Sequence, residues 1–454
     1  MSDNRSGSMV RDLTEGSVVR QLFVFATPLF VANALQAVYN IVDMVVVGQV
    51  IGGAGMSAVS IGGDVLHLLT FLAMGFSSAG QVIISQFVGA KRTDDVRRLI
   101  GTMFTLLLST AAVIAILCFL VRRPLLNLLN TPPESYAFTM DYMVTCVVGL
   151  PFIYGYNIVS AILRGMGDSK RPFLFIAIAA VMNTVLDILF VGFLGMEVFG
   201  AAFATVIGQG ASFLISLVYL YRRREEFGFD FRPESFRIDP RVLPPLLSLG
   251  IPMAIQSAAI HISKTVLTAW INAEGVVFSA LSGIYNKAGM MMVIVANSFT
   301  TAGSAMVGQS LGAGKYDRVP RIFYSVLTIG ISFATVFSAI FLLFPKAVFE
   351  LFTGDATVLA ESTLLVFPLI LNFYGAGTRL GAFTIINGSG NSKLNLLVAI
   401  IDGVISRLGF AALFGFALGL RCQGFWYGDA LAGFMPIAIG LTFFLSGKWR
   451  KTLA

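Results

Sequence analysis

The sequence predicts an all-α membrane protein of twelve transmembrane helices, arranged as two parallel six-helix repeats around a central cavity. Three observations carry this reading. Of 454 residues, 56% are hydrophobic and only 12% are charged, about half the charged share of an average soluble domain. Twelve apolar runs reach the ~20 residues that a helix needs to cross the hydrocarbon core. The chain also repeats itself at a displacement of 223 positions.

In order, the runs lie near 22–49, 57–88, 97–121, 136–158, 172–195, 199–221, 242–272, 276–311, 322–344, 358–386, 394–418 and 423–446. Those at 57–88 and 276–311 exceed a perpendicular crossing, so tilt, a bend or extension beyond the membrane is expected. Alternating sides from a cytoplasmic N-terminus gathers 23 Lys and Arg on one side, from Arg5 to Lys451. Only Arg122, Arg123, Lys346 and Arg421 fall on the other side. The positive-inside bias then places both termini in the cytoplasm, and it reads the net charge of +7 as topology rather than nucleic-acid binding.

Residues 1–21 are expected as a polar cytoplasmic lead without the apolar core of a signal peptide. Residues 22–221 and 242–446 are the two lobes, joined by a cytoplasmic linker at 222–241 and followed by a cytoplasmic tail at 447–454. Cys118, Cys146 and Cys422 show no C-x-x-C spacing, which points to neither a disulfide framework nor a zinc site.

The repeat is read from SSAGQVIISQFVGAKRTDDVRR (77–98) and TTAGSAMVGQSLGAGKYDRVPR (300–321). Ala79-Gly80, Gln86, Gly89-Ala90, Asp94 and Arg98 match Ala302-Gly303, Gln309, Gly312-Ala313, Asp317 and Arg321. RGMGDSK (164–170) and NGSGNSK (387–393) keep the same displacement, and Pro28 and Pro252 extend it with a one-residue slip. Six spans per half is an even number, so both halves enter the membrane in the same direction. Parallel repeats of this kind place the binding cavity at their interface.

VMNTVLDILF (181–190) holds Asn183 and Asp187 four positions apart, on one helix face. An ionisable group at the bilayer centre costs about 2.5–3.5 kcal/mol on insertion scales and normally faces the protein interior. Asp43 in the first span, flanked by Gln36, Tyr39 and Asn40, adds a second acid; Asn157 in the fourth span and Thr205 in the sixth add neutral oxygens. Together they offer what a hard monovalent cation needs, oxygen ligands sheltered from water. A proton can use the same pair of carboxylates.

The C-terminal half is expected not to repeat the acids, and instead carries Lys264, Lys287, Arg379 and Arg407 within its spans. At the repeat displacement Arg407 falls on Thr184, beside Asn183, and Lys264 on Asn40 or Ile41, so acid in one half faces base in the other. Asp64 and Lys287 occupy equivalent positions with opposite charge and are candidates for a gate if the two long spans approach at their outer ends, with snorkelling or pairing within one half as the alternative. Gln36, Tyr39, Asp64, Lys264, Lys287, Arg379 and Arg407 are the candidate cavity or gating residues.

The order and spacing of these features resemble the multidrug and toxic compound extrusion (MATE) transporters over roughly residues 20–446. The motifs are Pro28 followed by Tyr39, Asn40, Asp43, Val47 and Gly48, the "GQ..G" ends of spans two and eight, and Arg-Gly-x-Gly-Asp after span four. The first-span acid and the Asn-x-x-x-Asp of the fifth span are similar to the branch related to DNA-damage-inducible protein F. That resemblance implies a site for the coupling cation, H+ or Na+, at Asp43, Asn157, Asn183, Asp187 and Thr205, with Na+ held at Asp43, Asn183, Asp187 and Thr205. Relatives in the norfloxacin-exporter branch are expected to use acids in spans seven and ten, where this chain has Lys264 and Arg379.

The reading is a secondary-active multidrug efflux transporter of the cell inner membrane, exchanging amphipathic organic compounds for H+ or Na+ by alternating access. A flippase for a lipid-linked sugar or peptidoglycan precursor is the alternative. No paired nucleophile and base, H-E-x-x-H or Walker loop occurs, so an enzyme is not expected. No cofactor beyond the coupling ion is expected. Membrane lipid and amphipathic small molecules are the expected partners of a monomer, with no nucleic acid.

Overall fold

The structure is a computed structural model describing residues 10–450. Arg5, Lys451 and the outer ends of the lead and tail lie outside the described residues. Among the described residues there is no β-strand. In chain order the helices are α1 (Val18–Ile51), α2 (Gly53–Gly89), α3 (Thr93–Leu128), α4 (Pro133–Val148), α5 (Leu150–Gly165), α6 (Lys170–Asp187) and α7 (Glu197–Arg222). There follow α8 (Leu243–Asn272), α9 (Val276–Gly312), α10 (Arg318–Leu343), α11 (Pro345–Glu350), α12 (Ala356–Glu361) and α13 (Val366–Gly388). The last four are α14 (Ser392–Ile400), α15 (Arg407–Ala412), α16 (Arg421–Ala432) and α17 (Met435–Leu445). Helix is the outcome an apolar chain reaches in lipid, where each backbone N–H and C=O has to find its partner within the segment.

Among the described residues eleven helical stretches are long and apolar enough to cross a membrane, or twelve with α4 and α5 taken as one bent span. This is a multi-pass membrane architecture. The fourth span, expected as a plain run over 136–158, is a broken helix bent by 46° between α4 and α5. Gly149 sits at the break, and Pro151 at the start of α5 has no N–H to continue the ladder. The two over-long runs are unbroken helices, α2 and α9, each of 37 residues. At 1.5 Å per residue each is about 55 Å long, well beyond the hydrocarbon thickness.

The chain forms two compact units, one built on Thr27–Gly250 and the other on Asp12–Ala26 with the chain from Ile251 onward. In the N-terminal unit α2 packs on α3, α4 and α5, and α7 on α4, α5 and α6. In the C-terminal unit α13 is central, packed on α9, α10, α16 and α17. The 222–241 connection is folded onto α3. The Thr105 hydroxyl donates to Phe236 O, Asp239 N donates to Thr102 Oγ1 (3.0 Å), and Arg98 pairs with Asp239 (3.5 Å). The lead is likewise docked, on the C-terminal unit: Leu13 N donates to Gln309 Oε1 (2.9 Å) and Lys315 pairs with Glu15 (3.0 Å).

Left-handed backbone positions mark the repeat independently of side chains. Gly52 and Gly275 precede α2 and α9, and Gly167 and Gly390 follow α5 and α13, both pairs at a displacement of 223. Gly195 and Gly419, and then Glu197 and Arg421, stand at 224. The C-terminal repeat therefore holds one extra residue between 390 and 419. A π-helical turn at Ile401–Ser406, between α14 and α15, accommodates it, since a π turn is a one-residue insertion in an α-helix. Both repeats have a second π turn further on, Ile188–Phe193 after α6 and Leu413–Ala417 after α15.

Candidate functional site

In the N-terminal unit Asp43, Asn183 and Asp187 are all buried, Asp187 completely at 0% exposure. Val47, one turn beyond Asp43 on the same face of α1, packs among Ala58, Tyr142, Cys146 and Ala201. Asp187 is the last residue of α6 before the π turn, whose Val191 enters the same cluster. Asn183 sits between Asp187 and α7. Its amide nitrogen donates to Asp187 Oδ2 (3.2 Å), and its oxygen lies 3.2 Å from Thr205 Oγ1 and 3.3 Å from Thr205 N. The Thr205 hydroxyl is also 3.1 Å from Ala201 O, so one proton serves two acceptors.

Asp43 and Asp187 interact electrostatically with each other, and Tyr39 lies in the field of both. Asp43 Oδ1 and Asp187 Oδ1 are buried with no hydrogen-bond partner. Two buried acids with unused acceptors, and no Lys or Arg paired with either among the described residues, form a site short of positive charge. Asn157 does not join by any hydrogen bond: its amide donates to Ile153 O of its own helix (2.8 Å).

The C-terminal half does not repeat the acids position for position, but it holds two of its own. Asp402, placed in the inserted π turn, and Asp429 on α16 are both buried there. Arg379 and Arg407 therefore meet acids within their own unit. Asp402 pairs with Arg379 through Oδ2 and with Arg407 through Oδ1 (3.1 Å). Asp429 pairs with Arg407 through Oδ1 and accepts from the Tyr285 hydroxyl at Oδ2 (3.0 Å), and Asn372 Nδ2 in turn donates to that hydroxyl (3.0 Å). Lys264 lies in the field of Asp429, Arg407, Arg379 and Asp402. Asp64 on α2 and Lys287 on α9 are each exposed in their own unit.

The 224 displacement that holds beyond the insertion also corrects the residue matching. Arg407 is the counterpart of Asn183 rather than of Thr184, and Asp429 is the counterpart of Thr205. The Asn183–Thr205 contact of one unit is thus replaced by the Arg407–Asp429 ion pair in the other. Close backbone approach makes this possible. A Cβ on Gly428 would lie 2.3 Å from Ala411 N, and one on Gly424 would lie 2.4 Å from Gly415 N. These two glycines, one turn apart, let α16 lie against α15 and the second π turn, in the manner of small-residue helix contacts in membranes. Gly428→Ala is expected to cost about 1–3 kcal/mol of stability by overpacking. Gly409→Ala, which meets nothing within 4 Å, is expected to cost far less. Thermal unfolding of the purified variants checks both.

A family model described as MatE matches residues 28–189 and, a second time, 252–413. The chain belongs to the MatE family. Each match covers one repeat, so this MatE protein is a duplication by family pattern as well as by backbone geometry. Members of the family are transporters and not enzymes. Among the curated relatives, the probable multidrug resistance protein YpnP of Bacillus subtilis (strain 168) is 27% identical over 442 residues, 97% of either chain.

Two solved structures share the fold at 21% identity, each covering 97% of this MatE chain and 98% of the other. One is described as the outward-facing conformation of a multidrug resistance MATE-family transporter (TM-score 0.89). The other is a transporter from Pyrococcus furiosus described as having a binding pocket of reverse polarity (TM-score 0.88). Asp402 and Asp429 were readable in the sequence as acids inside apolar runs. What hid them was the constant displacement, which aligned neither with an N-terminal acid.

Proposed function

We propose that this MatE protein is a secondary-active exporter of amphipathic organic compounds, driven by H+ or Na+ entering a site in its N-terminal unit. The observation that carries this is the pair of buried carboxylates, Asp43 and Asp187, each with an unpartnered oxygen. A bound cation supplies the missing positive charge. As Na+ it takes the Asp43 and Asp187 oxygens with those of Asn183 and Thr205, and as H+ it neutralises one carboxylate. Either way the cation halves the negative charge of the acid pair and so lowers the cost of keeping it from water, which gives the ion a differential affinity for two states. Such a difference is what couples an ion gradient to alternating access. The relatives' multidrug resistance names support the class of cargo. The Lys and Arg distribution supports an inner-membrane protein with both termini in the cytoplasm.

The test uses purified protein in liposomes loaded with a fluorescent organic compound, under separately imposed proton and sodium gradients. Uphill movement under one gradient identifies the coupling ion. Movement that only dissipates the compound's own gradient, whichever ion is imposed, sinks the proposal.

A further inference from the structure

The two units treat their charged groups in opposite ways. In the N-terminal unit acceptors are left over. In the C-terminal unit all four carboxylate oxygens of Asp402 and Asp429 have donors, and the unused groups are donors instead. Arg379 Nε and Arg407 Nε are buried without partners, and no ion pair or hydrogen bond of the Lys264 ammonium is present among the described residues. Three cations stand against two acids, so the cluster carries one surplus positive charge. That surplus has a location. Asp402, Asp429 and Arg407 are closed off, whereas the Arg379 side chain is 18% exposed and Lys264 is half-buried.

The cluster also stands at the repeat position of the cation site, because Arg407 and Asp429 replace Asn183 and Thr205. A duplicated site whose copy is rebuilt with ion pairs and one net positive charge has inverted its polarity. Arg407 is balanced by Asp429, and the single charge of Asp402 is left against two cations, Arg379 and Lys264.

We infer that Lys264 and Arg379 bind the oxyanion group, carboxylate or phosphate, of an amphipathic substrate. The saturated Arg407, Asp402 and Asp429 network holds Arg379 in place, and the substrate's apolar body is free to take the less specific contacts. The inference deepens the transporter reading, and rests on it for the word substrate. The protein then handles amphipathic anions or zwitterions rather than simple organic cations.

The test is equilibrium binding, with no ion gradient, to full-length protein in neutral phosphatidylcholine nanodiscs. The probes are dansylamino-undecanoate and its uncharged methyl ester. Wild type is expected to bind the carboxylate at least about tenfold more tightly than the ester. In Lys264→Met, which breaks no ion pair, that ratio is expected to fall to about one with ester binding retained. Arg379→Lys, which keeps the charge beside Asp402, is expected to keep part of the preference.

Equal binding of carboxylate and ester to wild type overturns the inference, and so does a Lys264→Met effect that is the same on both probes. Adding phosphatidic acid to the nanodiscs separates the sources of the oxyanion. Displacement of the probe assigns the site to a lipid headgroup, and its retention assigns it to a free amphiphile. Loss of ion coupling in liposomes with the charge preference intact would defeat the proposed coupling alone, so the two failures are distinguishable.

Discussion

Asp187→Asn is expected to abolish ion-driven uphill export while leaving the protein as stable as wild type or more so. For one-for-one exchange, a tenfold inward ion gradient holds about 1.4 kcal/mol and can sustain at most about a tenfold substrate gradient. In the variant that ratio should fall to about one, the value for carriers whose cargo no longer feels the ion. The asparagine keeps the shape of the side chain but carries no charge for a cation to neutralise. Its stability should not fall, because Asp187 is a fully buried carboxylate with one oxygen unpartnered, and removing an uncompensated buried charge relieves a desolvation cost. Asp43→Asn should behave alike, since the two acids act in each other's field. The measurements are substrate ratio across liposomes under each imposed gradient and thermal unfolding of the same preparation. Coupling that survives both substitutions would remove these residues from the site.

Arg407→Asn is expected to do the reverse, costing about 3–5 kcal/mol of stability because it leaves the buried Asp429 without its ion-pair partner and Asp402 with Arg379 alone. The repeat relation provides an internal remedy. Arg407→Asn combined with Asp429→Thr installs the Asn183–Thr205 pair of the N-terminal unit at the equivalent positions. The double variant is expected to recover at least about 1 kcal/mol relative to the sum of the single losses, within the range found for residues in one network. Asp402 has still lost Arg407 and keeps only Arg379, so recovery should be partial. Denaturant unfolding of the four proteins completes the cycle, and additivity within about 0.5 kcal/mol would mean that Arg407 and Asp429 do not act as a pair.

These opposite outcomes express one difference. The N-terminal acids each keep an oxygen without a partner, as the proposed ion site requires. The C-terminal acids are saturated within the chain, and so serve to position basic groups rather than to bind a cation.

The sequence by itself determined the membrane class, the duplication and the N-terminal acids. Each follows from a signal that is local or periodic. Charge is costly in lipid, so a sparse polar residue such as Asp187 or Asp43 stands out against an apolar run, and a repeat is visible as identity at one displacement. Residues 1–9 and 451–454 apart, the helices fall where the apolar runs lie, and the bend at Gly149 has its cause in the neighbouring Pro151.

Only the tertiary structure decided the partners. Asp402 reaches Arg379 and Arg407 because a one-residue π insertion turns it toward them, and Asp429 reaches Arg407 because Gly424 and Gly428 let two backbones touch. Neither event changes composition or hydropathy, and both depend on how neighbouring helices meet, across 23 positions for Arg379 and Asp402 and 22 for Arg407 and Asp429. A constant displacement of 223 could not register an inserted residue whose whole effect is to rotate one helix turn relative to the next.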